Sequence, residues 1–280
     1  GVALLKALFP NHQLGATPEA QLSGLQAITA DDIADFRRRT MTRDNIVIAV
    51  AGDIDAATLA PLLDQLTARL PATSSLLAVA PVGKAAAARS VIDAALPQSI
   101  VVFGRQEAPL TARERDAMTL IDNIINAPFT GPLFLEVREK RGLVYDVGAG
   151  IIENELVSIY SGSFGSANEK AGEALAVTLS VLDEIGREGP SEQQLGEAKD
   201  ALPGITLRNL EGGRALVGRL LADQLLKLPP SRFDTFLADY QSVTLAEVRA
   251  VAKKMVKVED MSVMVIGRPV GDITKVVPAR

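Results

Sequence analysis

The 280-residue sequence has no cysteine, no tryptophan and a single histidine, His12. Without cysteine, disulfides, thiol nucleophiles and cysteine-ligated zinc or iron–sulfur sites are excluded. With one imidazole, no site needing two histidines can be built from this chain. Aromatics make up 4% of residues, so stacking platforms for bases or sugars lack material. Positive charge is not in excess either. Lys and Arg number 29 against 34 Asp and Glu, the net charge is −5 and the pI is near 5.1, which argues against a basic nucleic-acid-binding face. Apolar runs such as Ile46–Ala51 fall far short of the ~20 residues a membrane helix needs. The opening Gly1–Pro10 has no initiator methionine, no basic leader and no small-residue cleavage site, so it reads as a processed or truncated start rather than a signal peptide.

What is present describes a globular chain. Apolar residues reach 48% and charged residues 22%, enough for one large domain or two ordinary ones. A first block runs over residues 1–71. Thr17-Pro18 predicts a helix start with proline at the first helical position. Thr29 to Asp32 reads as a capping box, with Ile33 and Phe36 sharing a face of the helix that follows. Asn45 to Ala51 predicts a short buried strand. Asp55 then caps a helix with Leu59, Leu62, Leu63, Leu66 and Leu70 at amphipathic spacing. Residues 72–89 carry Pro81, Gly83 and an alanine run without clear period, and read as a linker.

The second block, 90–280, reads as a complete unit. Strands are expected at Val91–Ala94, Gln98–Gly104, Leu143–Ile152, Leu156–Phe164 and Met261–Ile266. Capping boxes at Thr111–Glu114, Ser191–Gln194 and Thr244–Glu247 open helices, and a shorter helix is expected from Gly131 to Arg141, ended by Gly142. A long helix is expected over Asn168–Arg187, and helical segments continue to about Tyr240, interrupted by Pro203 and Gly212-Gly213. Paired strands with grouped helices predict an α+β fold, with a mostly antiparallel sheet covered by helices on one face. Asn45-IVIAVAG-Asp53 also echoes Asp260-MSVMVIG-Arg268, each after a capped helix. That echo reads as one structural unit used twice, a partial first copy followed by a complete second.

The stretch richest in chemistry is PLFLEVREKRGLVYDVGAG, residues 132–150. Arg138 lies on the last turn of a helix, and Tyr145 follows it by seven residues across the glycine turn. A guanidinium offers a planar fork of donors and a phenol a directional O–H, and both suit the carbonyls of an extended peptide. The O–H could also steady an oxyanion. The bland alternative is a solvated helix end, Arg138, Glu139, Lys140 and Arg141, where cations are favoured anyway, with Tyr145 at a strand rim. Gly148-Ala-Gly150 lacks the strand-to-helix context of a dinucleotide loop, and Asp53 and Asp55 are explained by a turn and an N-cap.

The run L-x-x-E-V-R-E-K-R-G-L-V-Y-D-V resembles the second-domain signature of the M16 (pitrilysin-like) zinc metallopeptidases, which include mitochondrial processing peptidase. F-P-N-H-Q-L-G-A-T-P-E, I-T-A-D-D-I-A-D-F-R-R-R and R-D-N-I-V-I-A-V-A-G-D-I-D resemble the close of the family's first domain. G-P-S-E-Q-Q-L-G-E-A-K and V-T-L-A-E-V-R-A-V-A resemble later family segments, so the likeness covers essentially the whole chain. It implies a LuxS/MPP-like metallohydrolase-type fold: residues 1–71 the closing part of a first domain, 72–89 a linker, and 90–280 the second, inactive, substrate-binding domain. It also implies that Arg138 and Tyr145 bind substrate near the scissile carbonyl.

The family's zinc motif, H-x-x-E-H, is absent here. The expectation is therefore a chain inactive alone, with no catalytic or metal-binding residue and no cofactor of its own. It would bind peptide for a zinc-bearing M16 domain or subunit, as an inactive half of a heterodimer or as part of a longer active protease. The alternative is a structural or assembly subunit related to the processing peptidases. No nucleic-acid or membrane partner is expected, the sequence itself fixes no compartment, and the family suggests a bacterial periplasm. His12 matches a loop position, and Asn126–Pro132 stands where the family usually has a glycine-rich segment, with Pro128 and Pro132 stiffening it.

Overall fold

The computed structural model describes residues 1–278, which divide into two compact units. The larger comprises Gly1–Ala16, Val82–Pro203 and Thr235–Arg280; the smaller comprises Thr17–Pro81 and Gly204–Asp234. Packing thus groups residues differently from the blocks read along the chain.

The larger unit is built on five strands: β1 (Arg89–Asp93), β2 (Gln98–Glu107), β3 (Val147–Glu153), β4 (Ser158–Ala167) and β5 (Ser262–Gly267). They lie in the order β1-β5-β2-β4-β3, and only the β1–β5 pair is parallel. The α+β fold with a largely antiparallel sheet is therefore present. On β2, Val101 and Phe103 point to the core, in register with Val265 and Val263 of β5. Three helices pack there: α5 (Ala112–Ile125), α6 (Ala171–Glu188) and α10 (Leu245–Met255). Each presents an apolar stripe at helical spacing, such as Leu175, Leu179, Leu182 and Ile185 on α6. The boxes at Thr111 and Thr244 cap α5 and α10 as the sequence predicts. Arg113 of α5 pairs with Glu247 of α10 at 2.7 Å, and that guanidinium, with the Thr244 cap, holds the Glu247 carboxyl down to about 2.

The opposite face of the sheet is not bare. Helix α1 (Val2–Leu8) sets Leu4, Leu8 and Phe9 against Ile159 and Met264, with Val102 beside them. Those side chains alternate with the core-facing set, as the two-residue strand period requires.

The smaller unit holds α2 (Pro18–Ala27), α3 (Ala30–Thr40), α4 (Ala56–Thr67) and α8 (Gly213–Leu225). The Thr17, Thr29 and Asp55 caps form as read from the sequence. The strand expected at Asn45–Ala51 does not form: the segment is irregular and half-exposed. An apolar run becomes a strand only against a ladder partner, and this unit contains no strand among the described residues. The nearest substitute is the Gln224 side chain, whose Nε2 donates to the Ile48 carbonyl at 3.2 Å. The remaining helices, α7 (Glu192–Asn209) and α9 (Arg232–Ser242), each contribute to both units.

Candidate substrate-binding site

The residues predicted to bind substrate lie on the segment that joins α5 to β3 in the larger unit. Helix α5 ends at Ile125, and Ala127-Pro128-Phe129-Thr130 turns the chain. Thr130 N–H donates to the Ala127 carbonyl at 3.3 Å, and Phe129 has φ +65°. Proline second, a positive φ third and a closing hydrogen bond are the pattern of a type II turn, whose third position normally belongs to glycine. A phenylalanine there costs ~1–2 kcal/mol of backbone strain. Gly131 follows where a Cβ would lie 2.7 Å from the Ile125 carbonyl oxygen, so only glycine closes the turn.

Pro132 then opens a helical segment whose central part, Phe134–Glu139, is wound as a π-helix. Lys140 N–H reaches back five residues to the Leu135 carbonyl at 2.9 Å. Leu133 and Val137 are buried and anchor the segment, leaving Arg138 on its outer side. Such wide turns recur at functional sites. Gly142, at φ +58°, ends the segment, with its N–H on the Arg138 carbonyl at 2.8 Å. Beyond it Leu143 and Val144 are buried, and the Leu143 carbonyl accepts from Ser166 Oγ at 2.7 Å.

The expected strand at Leu143–Ile152 therefore starts later, at Val147. Leu143 bonds to Val137 and Ser166 rather than to a ladder. Tyr145 sits in a bend between this anchor and β3, with 82% of its surface exposed.

The geometry brings the predicted pair together. The Arg138 guanidinium carbon lies 4.8 Å from the Tyr145 ring centroid and 5.1 Å from that of Phe134, within the range of cation–π attraction. Phe134 in turn meets Phe129 edge-to-face at 5.3 Å. The neighbouring cations behave differently. Arg141 pairs with Glu136 at 2.6 Å and Lys140 pairs with the same carboxylate, which is held below the usual carboxylate range by those two cations. Arg138 makes no ion pair or hydrogen bond through its guanidinium among the described residues. The solvated helix end is thus Lys140 and Arg141, while Arg138 is carried on aromatic rings with its donors uncommitted.

Sequence reasoning missed several supports of this site. Phe129 and Phe134 were signalled only by a proline-led turn holding a bulky residue where glycine is usual. Asn126 and Asp122, on the last turns of α5, hold the outer edge of β3. Asn126 accepts from Ala149 N–H at 3.1 Å and donates to its carbonyl at 2.7 Å, and Asp122 Oδ2 accepts from Ile151 N–H at 3.3 Å. The second Asp122 oxygen and the Tyr160 hydroxyl are both shut from solvent without a partner. Burial, with Glu153 nearby, pushes the Asp122 carboxyl up to about 7.

His12 lies elsewhere in this unit, capping the short turn Gln13–Gly15 through Nδ1, which accepts from Leu14 N–H at 3.1 Å. Among the described residues no three His, Cys, Asp or Glu side chains gather as metal ligands. With one histidine and no cysteine, the donor set does not fit the family's zinc site.

The family model described as "Peptidase M16 inactive domain" matches residues 27–202, more than half of the chain and the whole of this site. The chain belongs to the peptidase M16 family. An uncharacterized zinc protease of Streptomyces coelicolor is 29% identical over 259 residues, covering 88% of this chain and 55% of that protein. An uncharacterized zinc protease of Mycobacterium tuberculosis is 26% identical over 260 residues, covering 90% and 58%. The crystal structure of a peptidase M16 inactive domain from Pseudomonas fluorescens superposes with a TM-score of 0.88 at 24% identity, covering 97% of this chain and 65% of that one. The M16 fold is thereby shown, and the chain spans a little over half the length of the curated relatives it matches.

Proposed function

We propose that this chain is the non-catalytic, peptide-binding part of an M16-type zinc metallopeptidase, in which Arg138 and Tyr145 orient the substrate for a zinc-bearing partner domain or subunit. The observation that carries this reading is the Arg138 guanidinium. It rests against the Tyr145 and Phe134 rings, with no carboxylate to occupy its donors among the described residues. A planar fork of N–H groups held in this way suits the carbonyls of an extended peptide. The exposed Tyr145 hydroxyl can donate to the oxygen of the bond being cleaved, where negative charge grows in the transition state. The zinc, supplied by the partner, would provide the activated water. Among the described residues no cluster of His, Cys, Asp or Glu side chains could hold it.

The domain reading belongs to the same proposal: residues 1–71 the close of a first domain, 72–89 a linker, 90–280 the second. The uncovered apolar faces of α2, α3 and α4 support it, since such faces need a layer to pack against. A periplasmic home completes the proposal, and fractionation of cells producing the protein would test it.

The decisive experiment uses the protein assembled with its zinc-bearing part. Tyr145→Phe is expected to lower kcat roughly 10²-fold, and Arg138→Ala to raise KM. Neither should shift the melting temperature, because both side chains lie outside the core. Full activity in both variants would refute the site assignment. A purely structural subunit would leave both variants silent and show no cleavage in any assembly.

A further inference from the structure

We propose that Phe129 is a specificity-determining residue, forming with Phe134 an apolar subsite that selects a large apolar side chain of the bound peptide. The inference rests on the peptide-binding reading above and extends it. Of the eight phenylalanines in the chain, Phe129 is the most exposed, at 73%. It stands at a backbone position that glycine would occupy without strain. Its ring is held by one edge-to-face contact with Phe134, leaving its outer surface open. A bulky side chain that is strained where it stands and uncovered where it points contributes little to folding.

Its place in the row makes it useful for binding. Phe134 links it to Arg138 by steps of 5.3 and 5.1 Å. An extended peptide repeats its side chains on one face every ~6.8 Å. A peptide whose carbonyl is held by Arg138 can therefore bring a side chain on the same face, two or more residues along, within reach of the Phe129 ring. Phe, Leu or Met at that position would bury apolar surface there, while Asp or Ser would not. The ring stands in the turn that runs through Gly131, packed close against the Ile125 and Ala127 backbone, into the π-helix that carries the guanidinium.

The test measures binding of fluorescein-labelled decapeptides to the full 280-residue chain by polarisation. The panel shares one sequence and carries Phe, Leu, Ser or Asp at each position in turn. The intact chain should prefer Phe or Leu at one position by roughly fivefold. Phe129→Gly should erase that preference, leave the Ser and Asp peptides unchanged, and melt at the same or a higher temperature because the turn strain is gone. A retained preference in Phe129→Gly overturns the inference. So does a lowered melting temperature, which would make Phe129 a packing residue. If the preference depends on Phe129 while Arg138→Ala changes no peptide's affinity, the peptide-orienting reading fails and the subsite stands. If Arg138→Ala abolishes binding while Phe129→Gly changes nothing, the subsite fails and the peptide-orienting reading stands.

Discussion

The larger unit buries whole side chains such as Leu175, Leu179, Leu182 and Phe103, whereas among its described residues the smaller unit buries only Thr42 and Arg232. Both contain capped helices, and both contain the Thr-x-x-Asp/Glu box in its reciprocal form. In the smaller unit Leu22, Leu25, Ile33, Phe36 and Leu66 stand out in solvent on helices whose ends are properly made. The difference teaches that caps and periodicity form helices, while a second layer is what turns an apolar stripe into a core. The same contrast bears on the proposed site: Arg138 and Tyr145 stand on a segment anchored by buried Leu133, Val137, Leu143 and Val144.

The largest expected effect contrasts the two interiors directly. Leu179→Ala, in the centre of α6, should destabilise by ~2–5 kcal/mol through lost burial and the cavity left behind. Leu66→Ala, at a residue 64% exposed, should change stability by less than ~0.5 kcal/mol. Urea unfolding of the two variants would check this. Equal losses would mean that the smaller unit has a core after all.

The next contrast is in pH. Asp122 in the larger unit has its folded-state value raised to about 7 by burial, above its unfolded value. Its contribution to stability is therefore complete below pH ~4 and lost as pH rises towards 7, up to roughly 4 kcal/mol. Arg115 is already committed to Glu153 at 2.7 Å, so it does not relieve that charge. In the smaller unit Asp32, Asp35, Asp44 and Asp55 are lowered by Thr29, Arg39, Thr42 and Thr58 respectively. Their contributions run the other way, present at neutral pH and lost on acidification through the folded-state values. Hydrogen exchange read region by region should show β3 loosening as pH rises to about 8, and α3 and α4 loosening as it falls to about 3, after correction for intrinsic exchange. Asp122→Asn should flatten the first trend. If it does not, the buried carboxyl is not its source.

The smallest effect compares like with like. Thr111→Ala and Thr29→Ala remove the same capping bond and should each cost ~1 kcal/mol. On α5 the loss should be spread over a packed helix. On α3 it should appear as local fraying, visible as faster exchange at residues 30–34 with little change in global melting.

Much of the fold was legible because it rests on local chemistry. The boxes at Thr29, Thr111 and Thr244, the long helix α6 and the strands β2, β4 and β5 follow from side chains acting on their own backbone or from short apolar runs. The Asn45–Ala51 run misled because a strand is a relation between segments, and its composition says nothing about a partner. Tyr145 was placed in a strand for a similar reason: buried Leu143 and Val144 look like strand residues until Ser166 and Val137 are seen to hold them. The Arg138–Tyr145 pair was legible from the motif. Its aromatic support was not, because Phe129 and Phe134 meet only through a turn and a π-helix that no periodicity encodes.

By itself, then, the sequence determined the helix ends, the α+β class and the impossibility of a two-histidine metal site, since each depends on residues present or absent at short range. Only the tertiary structure decided which stripes become core, where β3 begins, and that among the described residues Arg138, rather than Lys140 or Arg141, keeps its donors free. Those outcomes depend on which distant groups arrive within a few ångströms, and contact across a fold is not written in any single segment.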